Sequence, residues 1–351
     1  MTDPDTVRAR IAERLDEHLT RLTADTACEA DRPLIDRTAT LCSTGGKLLH
    51  GRFCHAGWLC AGGDDDETIF DACAAVELFK AACLLQDDIV DNSALRRGQA
   101  SLHQATADLH AKNAWRGPAA HFGTATALSL GGVVFGWAYD TLARSFTGLD
   151  PAGAQACLAW FSRSMYRAFA GEVHELYAQA TNTLTPDTAW QIAMRKTGTV
   201  TAYSFNVGAV RAPGGRTIVQ QMETPLARIG TAFQFRDDLL GMFGDVHLTG
   251  KSDRDDLRDG KPTLLACTAL ERLHGDDRAR LLALYTSGRD DDAAAQEVRA
   301  LINQSGAVAE VEDTIGSLAR ETEQALAAAR LPSMGKQALA TLVHDIVWRN
   351  R

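Results

Sequence analysis

The stretch CLLQDDIVDNSALRRGQ (Cys83–Gln99) sets three aspartates into an apolar run and follows them with two adjacent arginines. Its apolar residues recur at the helical period rather than alternating, so the pattern predicts a helix, part of a longer one over 67–95. On a helix Asp87 and Asp91, four apart, share a face one turn from each other. Two carboxylates so placed repel unless a cation neutralises them, and a ligand set made only of oxygens suits Mg²⁺. The plainer alternative is an exposed helix end carrying solvated acids.

The same helical period runs through the rest of the chain. Residues 5–22, 122–146, 151–181, 187–211, 224–243, 262–273, 305–330 and 334–349 read as helices. Asp150-Pro151, Thr185-Pro186-Asp187 and Thr224-Pro225 each put a capping residue ahead of a first-turn proline or acid. Breakers lie at APGG (212–215) and GDVHLTGKSDRDDLRDGK (244–261). Some helices, such as GTATALSLGGVVFGWAYDTL (123–142), are apolar around most of their circumference, as inner helices of a large bundle are. With 351 residues, 45% of them hydrophobic, and no linker or repeat, one all-α domain over 1–351 is expected, with 1–30 as a peripheral N-terminal helix.

Composition excludes several roles. A net charge of −9 and the lack of a basic tract argue against a nucleic-acid partner. The acidic, amphipathic N-terminus lacks the apolar core of a signal peptide, and no run approaches the ~18 uninterrupted apolar residues of a membrane span. Eight scattered cysteines without a C-x-x-C pair suit a reduced, cytoplasmic protein.

A second acidic cluster, FQFRDDLLGMFGD (Phe233–Asp245), embeds Asp237 and Asp238 in another apolar helix. If the two helices face each other, their carboxylates form a charged pocket able to hold Mg²⁺ ions that bridge to a diphosphate. Arg96, Arg97, Lys196, Lys251 and Lys261 are cations available to the same phosphates.

In order along the chain, GGK (45–47), DDIVD (87–91), RRG (96–98), KT (196–197), FQFRDD (233–238) and DDLRDGKPT (255–263) resemble the trans-isoprenyl diphosphate synthases. The resemblance covers roughly residues 40–275. It implies an all-α bundle of the isoprenoid synthase type around a central apolar cavity, and a homodimer. It also implies the reaction: Mg²⁺, three ions with substrate bound, promotes loss of pyrophosphate from an allylic diphosphate, and isopentenyl diphosphate attacks the cation. By motif position Asp87, Asp91 and Asp237 would be metal ligands, supported by Asp88 and Asp238. Arg96, Lys196, Thr197, Gln234, Lys251 and Lys261 would serve the allylic diphosphate. Lys47, His50, Lys80, Arg97 and Phe233 would serve the acceptor.

Three departures stand out. Gly241 occupies a position where the family often has a third aspartate, with Asp245 a candidate substitute. GEVHE (171–175) replaces the usual GQxxD, and His174 is left without a role. GGKLLHGR (45–52) puts His50 where an arginine is expected, and Lys80 stands where the family has histidine or glutamine. Arginine forks onto phosphate in a way histidine cannot reproduce. The exchange leaves open a different acceptor, such as an indole or another phosphorylated molecule, or a cyclase-like lyase needing no acceptor.

One helical turn is ~5.4 Å, so Cys83 and Ala82, four and five residues before Asp87, would lie below the reacting carbons. Both are small, and Phe79, further down, would form the floor. A product near C20 is expected.

Overall fold

Helix follows helix from Pro4 to Val347 in the computed structural model, which describes residues 3–44, 46–64, 67–244, 254–289 and 291–347. The order begins α1 (Pro4–Thr26), α2 (Arg32–Ser43), α3 (Leu49–Cys60) and α4 (Ile69–Val90). A two-stranded hairpin, β1 (Leu95–Arg96) and β2 (Gln99–Ala100), interrupts the helices. Then come α5 (Leu102–Lys112), α6 (Ala119–Arg144), α7 (Pro151–Thr181) and α8 (Pro186–Ala193). A π-helical turn (Met194–Gly198) leads into α9 (Thr199–Ala209) and α10 (Gly215–Phe243). The chain closes with α11 (Asp255–Asp259), α12 (Leu264–Arg272), α13 (Gly275–Tyr285), α14 (Asp292–Ser305), α15 (Ala307–Ala328) and α16 (Ser333–Val347).

Contacts gather the chain into two compact units. The first holds residues 1–158, 204–218 and 331–338, the second 159–203, 219–330 and 339–351. The chain passes from one to the other inside α7, α9, α10 and α16, and once between α15 and α16.

In the first unit α4 is the inner helix, packed by α1, α2, α3, α5 and α6. Its residues 72–76, 78 and 79 have almost no exposed surface. That matches a segment apolar on nearly every side, and each large side chain so buried stabilises the fold by about 1.5–3 kcal/mol. α1 contributes a single stripe, Val7, Ile11, Leu15, Leu19 and Leu22, at helical spacing. α6 is the one described helix long and apolar enough, by length and composition, to cross a membrane, with mean hydropathy 1.2 and 28% of that window buried. Here it lies against α4 and α5.

In the second unit α12 plays the inner part. All of Leu264–Leu270 is buried, and α8, α13, α14 and α15 pack on it. Gly306, at φ +76, separates α14 from α15, so the segment predicted at 305–330 begins at a sharp corner.

Two predicted caps hold. Asp150 accepts the Gly153 N–H at 2.6 Å, and Thr185 accepts the Thr188 N–H at 3.2 Å. The cap at Thr224-Pro225 does not form: α10 already starts at Gly215 and carries Pro225 inside it, with the Pro225 carbonyl accepting from the Thr322 hydroxyl at 3.3 Å. The helix predicted over 67–95 stops at Val90, because Asn92 turns to φ +46 and the hairpin follows. α2, α3, α5, α13 and α14 were not anticipated. They are short, and their apolar faces carry too few turns for a period to emerge.

Candidate active site

The first cluster stands where α4 ends. Asp87 and Asp88 occupy its last turn, and Asp91 is its C-cap. The negative end of the helix dipole already points at such a terminus, so three more anions demand cations. Arg96 supplies one from inside the chain. Its Nε donates to Asp88 Oδ1 at 2.8 Å, and Nη2 donates to Asp87 Oδ2 at 3.1 Å and to Asp88. Asp88 is only 2% exposed, so its part is to hold Arg96, while Asp87 and Asp91 remain half-buried. The hairpin delivers the arginine: Arg97 and Gly98 form its two-residue turn at φ +53 and +74, the mirror-image type that suits antiparallel strands. A glycine adopts that backbone readily; an arginine there is strained, a feature that clusters at functional sites.

Beside this turn lies the predicted acceptor group. Arg97 donates to the Thr44 carbonyl. Gly46, at φ +96, gives it room, since a Cβ there would sit 3.0 Å from Nη2. Lys47 is exposed and Lys80 half-buried. His50 is buried, and burial, helped by the charge of Lys80, lowers its pKa to about 3. It therefore offers a neutral imidazole and not the cation that an arginine would bring. Glu77, on α4, was not foreseen in this group; it accepts the Gly51 N–H at 2.7 Å.

Phe79 and Ala82 are completely buried and Cys83 half-buried. The Phe79 ring meets Phe135 of α6 edge to face, centroids 5.7 Å apart.

The second cluster draws on separated segments. Lys196 lies in the π-helical turn, a widening of the backbone common at functional sites. Its Nζ donates to Glu172 at 2.8 Å and to Glu175 at 2.9 Å, both on α7. Lys261 lies 3.8 Å from Glu175 and 3.9 Å from Asp256 of α11. The Thr197 hydroxyl donates to Gln234 Oε1 at 2.8 Å, and Gln234 Nε2 donates to Asp238 Oδ1 at 2.9 Å. Burial, with Asp256 and Glu175 adding repulsion, pushes the Asp238 carboxyl up to about 7. A carboxyl so raised, among other oxygen donors, fits a divalent cation that would relieve the repulsion.

Asp256 also clarifies the departure at Gly241: a Cβ there would lie 3.3 Å from Asp256 Oδ2. A second-unit carboxylate thus already stands beside the missing third aspartate. Asp245 and Lys251 lie outside the described residues. Glu172, Glu175 and Asp256 were within quoted motifs but unassigned, because GEVHE and DDLRD give no hint of which acid turns toward which lysine.

Comparison with known proteins places the chain among its relatives. The profile of the family described as Polyprenyl synthetase matches residues 32–303. The chain is 27% identical over 286 residues to a short chain isoprenyl diphosphate synthase of Methanothermobacter thermautotrophicus, covering 82% of this chain and 79% of the relative. It is 26% identical over 323 residues to a nonaprenyl diphosphate synthase of Mycobacterium tuberculosis, with coverage of 92% and 88%. Among solved structures, a geranylgeranyl pyrophosphate synthase of Corynebacterium glutamicum, complexed with isoprenyl diphosphate and magnesium, matches with a TM-score of 0.89 at 27% identity over 99% of this chain and 98% of that one.

Proposed function

This chain belongs to the polyprenyl synthetase family of prenyltransferases, and from that premise we propose that it elongates an allylic diphosphate with isopentenyl diphosphate to a product near C20. The family is Mg²⁺-dependent, and isoprenyl diphosphate synthesis is its activity. Asp87, Asp91 and Asp237 would hold the ions, three with substrate bound, with Asp88 and Asp238 supporting them. Bound Mg²⁺ supplies charge neutralisation at the phosphate oxygens, which makes diphosphate a better leaving group.

The protein's own cations, Arg96, Lys196 and Lys261, contact the allylic diphosphate with Gln234, as does Lys251. They receive the negative charge that develops when the C–O bond breaks and its electron pair leaves with the diphosphate. Thr197, whose proton is directed to Gln234, keeps oxygen lone pairs for the allylic cation. The double bond of isopentenyl diphosphate then forms the new C–C bond, and the proton lost next goes to the departing diphosphate. Lys47, Lys80 and Arg97 hold the acceptor's diphosphate, with Phe233 against its apolar part and His50 as a neutral hydrogen-bonding group.

The observation that carries this reading is the lysine pair within the second cluster. Lys196 is set between Glu172 and Glu175, and Lys261 stands by Glu175 and Asp256, around a carboxyl raised to about 7. Fixed cations interleaved with carboxylates are what a metal-bridged diphosphate requires. The C20 length rests on small Ala82 and Cys83 above the buried Phe79, which meets Phe135 edge to face.

A homodimer is supported by exposed apolar residues at helical spacing, Tyr166, Val173 and Tyr177 on α7 and Leu128 and Tyr139 on α6. Eight free cysteines suit the reducing cytoplasm.

The deciding experiment is mass spectrometry of products from purified protein with Mg²⁺, farnesyl diphosphate and isopentenyl diphosphate, against a control lacking the latter. A C20 diphosphate only with both substrates is expected. Pyrophosphate release without elongation would overturn the reading in favour of another acceptor or a cyclised hydrocarbon.

A further inference from the structure

Glu77 lies on α4 one turn before Lys80, half-buried, and its carboxylate is aimed at the beginning of α3. It accepts the N–H of Gly51 at 2.7 Å and the backbone N–H of His50. Those belong to the first-turn donors of α3, which the N-cap residue Leu48, held at φ +46, leaves without a side-chain cap. The same carboxylate feels the charges of Arg97 and Lys80. Arg97 is tied in turn to the Thr44 carbonyl and lies against Gly46. Thr44, Gly46, the first turn of α3 and the tip of the hairpin therefore converge, directly or through Arg97, on one α4 side chain.

Such a carboxylate is an odd resident of an anion pocket. As bare charge it weakens attraction for a diphosphate; as a hydrogen-bond acceptor and counter-ion it fixes where the neighbouring groups point. With His50 neutral, the pocket depends on the direction of a few cations, and guanidinium recognition of phosphate is steeply directional. We propose that Glu77 is a positioning residue of the acceptor pocket, holding Lys80, Arg97 and the start of α3 in register for one diphosphate that it does not itself touch. This rests on the reading of Lys47, Lys80 and Arg97 as acceptor residues.

The test is steady-state kinetics of Glu77→Gln and Glu77→Asp in the full-length protein with Mg²⁺, each substrate varied in turn. Glutamine keeps an oxygen for the Gly51 N–H and removes the charge; aspartate keeps the charge and withdraws it by one methylene. Glu77→Gln should raise KM for isopentenyl diphosphate about tenfold, with kcat and the allylic KM within about twofold of the parent. Glu77→Asp should raise the same KM by a smaller factor, and it decides the matter should the glutamine variant fail to fold. An unchanged isopentenyl KM, or equal rises for both substrates, overturns the positioning role. If the parent protein itself shows no saturable dependence on isopentenyl diphosphate, the acceptor reading fails whatever the variants do.

Discussion

At the end of α4, Asp87, Asp88 and Arg96 stand close in the chain and pair with one another, whereas around α10 Asp238 is gathered with Glu175, Lys196, Asp256 and Lys261 from separate segments. In the first cluster one arginine is held by two carboxylates, one of them buried. In the second each lysine is shared between two carboxylates, and Asp238 is still left with a pKa of about 7. A helix turn followed by a hairpin can bring a cation onto its own acids. Segments meeting from far apart bring in two lysines, and both clusters keep an acid surplus, which suits a site meant to take up further positive charge.

The comparison breaks most readily at Asp88. Asp88→Asn removes the buried partner of Arg96 and should cost about 3–5 kcal/mol of stability, read from urea unfolding. A loss below about 1 kcal/mol would mean that the pair is not what organises the α4 end. Asp91→Ala, at the half-buried C-cap, should leave the fold intact and lower turnover about 10²–10³-fold, as loss of one preorganised charge-stabilising group does. Near-parental turnover would remove the first cluster from the chemistry.

His50 gives a pH test. Its pKa in the fold is about 3 against an ordinary 6.5, from burial first and Lys80 second. As pH falls below about 6.5 the unfolded chain takes the proton and the folded one does not. Stability therefore declines from there down to pH ~3, by up to about 1.4 kcal/mol per pH unit, and is unaffected above. His50→Gln should flatten that part of the acid unfolding curve; an unaltered curve would show the imidazole protonating in place.

Glu175→Gln should be milder than Asp88→Asn, because Arg96 gives Asp88 two N–H donors whereas Lys196 gives Glu175 one. A stability change of about 1 kcal/mol or less is expected, with a few-fold rise in the allylic KM. A loss as large as that of Asp88→Asn would erase the contrast between doubly and singly donated ion pairs. The smallest change is in the product: Ala82→Phe should shorten it by one isoprene unit at little cost in rate, and an unchanged chain length would disprove the ruler.

How far the site was readable follows the same contrast. DDIVD showed its chemistry because four-residue spacing on a helix is decided by the backbone. The hairpin that carries RRG did not show, because no pattern announces that Arg97 rather than a glycine will take a positive φ. Long helices such as α4, α6 and α7 were evident from their apolar period, while short α2, α3 and α13 were not. Pro225 misled, since a proline after threonine reads as a helix start, and only packing that engages its carbonyl with Thr322 shows it inside α10.

By itself the sequence determined that the chain is all-α, that aspartates lie a turn apart on one helix face, and that a second acidic pair recurs near the chain's third quarter. Those are consequences of local period and spacing. Tertiary structure alone decided that Asp88 serves Arg96, that Glu172, Glu175 and Asp256 surround the two lysines, and that His50 is neutral beside Lys80 with Glu77 capping α3. Burial and the distance between charges set those properties, and neither is encoded in any stretch of the chain taken alone.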